Sequence, residues 1–267
     1  MMAQSEISAA ANRLFEAEAT RSQIDILSLA HADMDMDDAY AIQSALVHQK
    51  QASGRSIIGW KIGLTSKAMQ YALNIDIPDS GILFDDMAFE HGAHVPAGRF
   101  IQPRVEAEIA FVMSDDIKGA AVSKQDVIAA TQYVAPSLEI LDTRIKRVDQ
   151  ASGKTRTVYD TIADNAANAG IVLGMQKHDI SDFDLRWVGA IVCRNDEVEE
   201  TGLGAGVLND PVESMVWLVR RLAQYGQGLR KGDIVLSGSF IRPIECPAGS
   251  RIDADFGAFG GVSITFD

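Results

Sequence analysis

The chain has 267 residues, 47% of them hydrophobic and 23% charged, enough to bury a sizeable core in one large domain or two small ones. Its formal net charge of -13 argues against nucleic acid or an anionic membrane as a main partner. With no signal-peptide pattern at the N-terminus, no apolar run of bilayer length and no C-x-x-C spacing at Cys193 and Cys246, the expected setting is the reduced cytoplasm.

Ile7, Ala10, Ala11, Leu14 and Phe15 follow helical spacing after Ser5. Asp35 is placed to cap a second helix running through Ala39, Ile42 and Leu46 to a stop near Gly54. Residues 1–56 therefore read as a helical N-terminal lobe. From Ile57 the signals are mostly β, so residues 57–267 read as a β-rich catalytic part continuous with that lobe. Gly59 to Leu64 is a short strand. His91 and His94 have ligand-like spacing, but Gly92 and Pro96 place them in a loop. Arg104 to Val112 alternates apolar and polar residues as a strand does. Ser123 opens a helix, and Tyr133 to Leu141 is an apolar run carrying one acid, Glu139. Trp187 to Arg194, a turn at Asn195-Asp196 and a return from Val198 predict a hairpin. Gly202, Gly204 and Gly206 do not match the dinucleotide fingerprint and follow no clear strand. Asp210-Pro211 starts a helix that Gly226 ends. Ile234 to Leu236 is a buried strand, and Ser250 to Phe256 with Gly261 to Phe266 is a second strand pair. Many short strands and few helices predict an irregular mixed or all-β core beside the helical lobe.

Three constellations carry chemistry. Glu106 and Glu108 fall on one face of their strand, about 7 Å apart, where two bare carboxylates repel by roughly 2 kcal/mol at an effective dielectric of ~20. A cation between them, or a wet strand face, relieves this. Glu139 adds a third carboxylate, and three oxygen ligands without histidine suit Mg²⁺ or Mn²⁺; the plain alternative is a solvated face with one salt-bridged glutamate. Lys61, between apolar neighbours, is either a desolvated proton carrier or a surface lysine. Ser237-Gly238-Ser239 offers donors to an anion, or is a simple strand-end turn.

Four segments together carry a resemblance: Gly59 to Lys67, Pro103 to Phe111, Pro136 to Arg144 and Ala163 to Gly170. In this order they resemble the hydratase/decarboxylase branch of the fumarylacetoacetate hydrolase superfamily, over nearly the whole chain. The segment Ile145 to Asp160, longer than in the branch's pentadienoate hydratases and its decarboxylases, resembles the branch's dicarboxylate hydratases. The resemblance implies an α+β fold: a distorted mixed β-roll or barrel core with a helical N-terminal lobe. It implies a metal-dependent lyase that adds water to an unsaturated 2-oxo dicarboxylate in aromatic catabolism. A decarboxylase or monoacid hydratase using the same metal-enolate site is the alternative, and a non-catalytic partner subunit a second one. It assigns Glu106, Glu108 and Glu139 to Mg²⁺ or Mn²⁺, with no organic cofactor, and Lys61 and Asp79 to catalysis. Ser239 is matched to substrate binding. The far carboxylate needs a cation, for which Arg144, Arg147, Lys154 and Arg156 are the substrate-binding candidates; the plain alternative is a solvated loop. The resemblance also implies a homo-oligomer built from dimers, up to a decamer.

Overall fold

The structure, a computed structural model, describes residues 1–67, 70–71 and 77–267. The N-terminal region is helical: α1 (Gln4–Thr20), α2 (Leu27–Ala30) and α3 (Met36–Ala52). The stripe of Ile7, Ala10, Ala11 and Leu14 on α1 is buried as the spacing predicts, whereas Phe15 is only half-buried. Asp35 caps α3, its carboxylate accepting from the Asp38 N–H at 2.9 Å. These helices share an apolar core with Ile145, Ile162 and Ala163, so residues from mid-chain complete the lobe's packing.

The remaining elements are β1 (Ile57–Gly63), β2 (Asp79–Phe84), β3 (Ala88–Phe89), β4 (His94–Val95), β5 (Arg104–Met113), α4 (Lys124–Ala129), β6 (Thr131–Leu141), α5 (Val158–Ala163), β7 (Asn168–Leu173), β8 (Gly189–Arg194), β9 (Glu197–Leu203), α6 (Pro211–Ala223), β10 (Ile234–Leu236), β11 (Ile244–Glu245), β12 (Ser250–Asp255) and β13 (Gly261–Phe266). They form two sheets. One runs β2-β1-β10-β5-β6-β7-β3, with β11 also on β5; the other runs β4-β13-β12-β8-β9. The first sheet is mixed, since β1 and β10 are parallel while β5 and β6 are antiparallel. The architecture is the expected α+β fold with a helical N-terminal region.

Asn195 and Asp196 both take positive φ, 53° and 70°, and turn the predicted β8–β9 hairpin. Contrary to the sequence reading, Gly202 lies inside a strand, β9, and Gly204 follows it. His94 likewise sits in a short strand rather than a loop, with its ring on Asp267 at 2.9 Å.

β5 separates two environments. Val105, Ala107, Ile109 and Phe111 point into the large core shared with the second sheet and α6. Ala110, on the opposite face, packs in a small cluster with Leu83, Ile171 and Leu236. Glu106 and Glu108 share that second face by strand alternation.

Candidate active site

Strand register alone assembles the site. Glu106 on β5 stands directly opposite Glu139 on β6, and Glu108 opposite Ser137. Lys61 on β1 aligns with Leu236 on β10, which aligns with Ala110 on β5, so Lys61 shares the face of the glutamates. Asp79 opens β2 opposite Gly63, two residues beyond Lys61. The structure thus brings Lys61, Asp79, Glu106, Glu108 and Glu139 to one face of one sheet.

One ligand oxygen from each of Glu106, Glu108 and Glu139 can be chosen so that all lie within 4.8 Å of one another. Glu108 and Glu139 are fully buried. Lys61 Nζ lies 3.3 Å from Glu139 Oε1, and the Asn168 side-chain amide donates to the same oxygen at 2.7 Å. The Gly238 N–H donates to Glu108 Oε2 at 2.6 Å. These bonds leave Glu108 Oε1 and Glu139 Oε2 buried without a partner. Buried polar atoms are normally satisfied, so two orphaned carboxylate oxygens facing a third acid need a cation. An all-oxygen, three-carboxylate set fits a hard divalent ion.

The electrostatics agree. Burial, then the charge of Glu139, pushes the Glu106 carboxyl up from its ordinary range. Burial, then Glu139 and Glu106, pushes Glu108 well up. Burial works against the charge of Lys61, but Glu139, Asp79, Glu106 and Glu108 outweigh it and hold the side chain as an ammonium. Burial raises Asp79 against the pull of Lys61, and its Oδ1 has no hydrogen-bond partner. Asp79 and Lys61 meet over Gly63: a Cβ there would collide with Asp79 Oδ1 and lie 3.0 Å from Lys61 Nζ.

The other expectations fare differently. The Ser239 hydroxyl is engaged by its own turn, bonding the Ile241 carbonyl at 2.9 Å, whereas the neighbouring Ser237 Oγ is buried and unpartnered. The anion-binding turn expected at residues 237–239 therefore directs a backbone N–H at a protein carboxylate, Glu108. Arg144 corrects the sequence reading. It is buried rather than poised for substrate, its guanidinium clamped by Asp164 Oδ1 at 2.5 Å and by the carbonyls of Asp164 and Asn168. Lys154 is exposed, Arg147 pairs with Glu245 at 3.3 Å, and Arg156 is half-buried. Asn168 was given no role by the sequence, although it lies in a segment singled out there, and the N–H of Gly238, expected to serve an anion, serves a protein carboxylate instead.

A cleft of about 580 Å³ beside α6 is lined by Lys124, Asp210, Glu213, Trp217 and Arg221 among others. It includes none of the residues above, and Lys124 is already spent on Asp210 and Glu213.

Comparison with known proteins gives the family of the chain. Residues 58–265 match the model of the fumarylacetoacetate (FAA) hydrolase C-terminal family. The chain is 45% identical over 256 residues to the 2-oxo-hept-4-ene-1,7-dioate hydratase of Escherichia coli, covering 96% of each chain. It is 38% identical to the 2-hydroxyhexa-2,4-dienoate hydratase of Comamonas testosteroni, covering 95% of each. Among solved structures it is similar to the 4-oxalocrotonate decarboxylase of Pseudomonas putida G7 in complex with magnesium and adipate. That likeness has a TM-score of 0.93 at 29% identity and covers 100% of this chain and 99% of the other.

Proposed function

The chain belongs to the fumarylacetoacetate (FAA) hydrolase C-terminal family, and within it we propose a divalent-metal-dependent hydratase. Its substrate is 2-oxo-hept-4-ene-1,7-dioate and its product 4-hydroxy-2-oxo-heptanedioate, in the breakdown of homoprotocatechuate. The identity of 45% to a hydratase of that substrate supports this choice. The observation that carries the chemistry is the pair of buried, unpartnered oxygens on Glu108 and Glu139.

Glu106, Glu108 and Glu139 would hold Mg²⁺ or Mn²⁺, which would supply Lewis acidity toward a bound 2-oxo-acid. The residues of the chain do the proton work. Asp79, with an unpartnered oxygen, accepts a proton from C3. Lys61, held as an ammonium, returns a proton at C5, so the double bond moves into conjugation with the ketone. Water then adds at C4 and C3 is reprotonated. Each step moves only protons and water, which needs no organic cofactor. Family membership also supports a cytoplasmic homo-oligomer built from dimers.

The likeness to a 4-oxalocrotonate decarboxylase favours one second reading, loss of CO₂ from a related acid at the same site. The test is to supply the dioate with Mg²⁺ or Mn²⁺ and follow the conjugated absorbance and CO₂ together. Water addition without CO₂ is expected. Stoichiometric CO₂ from 4-oxalocrotonate, with no hydration of the dioate, replaces the first reading by the second. No turnover of either substrate overturns both.

A further inference from the structure

A dioate has a second carboxylate, and Arg144 is not free to receive it. We propose that Arg104, Arg147 and Arg156 form the seat of the substrate's far carboxylate, one strand repeat from the acid cradle. The inference rests on the dioate-hydratase reading and names the other half of that site.

Arg104, Glu106 and Glu108 alternate along β5, so all three side chains leave the same face. Arg104 and Glu106 are about 7 Å apart along the strand. Six carbon–carbon bonds of about 1.5 Å at tetrahedral angles separate the carboxyl carbons of a seven-carbon diacid by roughly 7–8 Å. A substrate anchored at the cradle by its 2-oxo-acid end and extended along β5 therefore carries its second carboxylate to Arg104.

The other two arginines arrive by independent routes. Glu245 on β11 stands opposite Arg104, and Arg147 Nη1 reaches Glu245 Oε1 at 3.3 Å. The Arg156 N–H donates to the Arg147 carbonyl at 3.0 Å, folding the 147–156 segment back so that both arginines lie together. Among the described residues, Arg104 and Arg156 form no ion pair with a carboxylate, and the only side-chain bond of Arg156 is a long one of 3.4 Å to the Ile145 carbonyl. The cluster is self-repelling. Burial brings Arg156 down to about 10 against the pull of Asp164, with Arg104 and Arg147 adding to the fall. Glu245 already meets Arg147, whereas the guanidinium groups of Arg104 and Arg156 have no carboxylate partner among the described residues, and a carboxylate takes a guanidinium in a two-bonded grip.

The test uses the full-length protein with Mg²⁺ and two inert probes, 2-oxoheptanedioate and the monoacid 2-oxopentanoate, by calorimetry. The diacid is expected to bind the wild type more tightly. Arg104→Gln and Arg156→Gln should each cut the diacid-over-monoacid preference by about 10-fold, the loss typical of a hydrogen bond to a charged group. Arg147→Gln, at an exposed position, gives the same reading with a smaller loss if Arg104→Gln fails to fold. A preference unchanged in all three variants, equal weakening of both probes, or no diacid preference in the wild type overturns the seat. A wild type that prefers the diacid through these arginines yet does not hydrate the dioate keeps the seat and sinks the hydratase reading.

Discussion

Replacing Glu108 with Gln pulls in two directions. It removes a charge from the ion's ligand set, and it removes a buried carboxylate that repels Glu106 and Glu139. Metal affinity should fall at least about 100-fold, while in EDTA the variant should melt a few degrees higher than the wild type, at ~2–4 °C per kcal/mol for a chain of this size. Calorimetric titration and a thermal scan check both arms; unchanged affinity would remove Glu108 from the ligand set. Residues of this kind are legible in sequence because an acid alternating with apolar neighbours contradicts its surroundings. Asn168 and Gly238 are not. Their part is to bond a carboxylate far away in the chain, 130 residues in the case of Gly238 and Glu108, and nothing local marks that pairing.

At the scale of elements, the turn from Asn165 to Ala167 fastens β2 to the site. These three residues take φ of 52°, 53° and 59°, a left-handed turn that costs L-residues energy. The Asn165 amide bridges both backbone groups of Ile82, accepting from its N–H at 2.8 Å and donating to its carbonyl at 2.9 Å. Asn165→Ala would leave both groups buried and unpaired, at a cost of about 2–4 kcal/mol. Urea unfolding should show the loss as a lower midpoint, and a midpoint unmoved would sink the bridging role. Amphipathic α1, capped α3, the β8–β9 hairpin and the β12–β13 pair are written locally, in spacing, caps and turn residues, and sequence reading found them. β2 was missed for a physical reason: every residue of it is buried, so it has no alternation to detect. β8 starts at Gly189 rather than Trp187, because the Trp187 N–H is bonded into a turn on Asp184.

For the whole molecule, the buried acids link stability to pH. Glu106 is raised to about 8, above its ordinary value of 4.5, so the folded state holds a proton that the unfolded chain releases. That contribution is present below about pH 4.5 and is lost as pH rises toward 8. Glu18 acts in a lower window: burial opposes its ionisation, but Lys50, Arg144 and Arg55 bring it down to about 2, so its contribution is lost only as pH falls from 4.5 toward 2. In EDTA the melting temperature should therefore decline between pH 5 and 8, and Mg²⁺ should flatten that decline; a steady rise in EDTA would contradict the buried-acid account. The lobe's packing against mid-chain residues has a consequence for synthesis. The buried amide of Gln43 donates to the carbonyl of Ile162, 119 residues later. At roughly 5–20 residues per second, α3 waits about 6–24 s after leaving the ribosome before that partner is made. During that interval the helical lobe lacks Ile145, Ile162 and Ala163, and the apolar surface that those residues cover in the finished fold stays open to solvent.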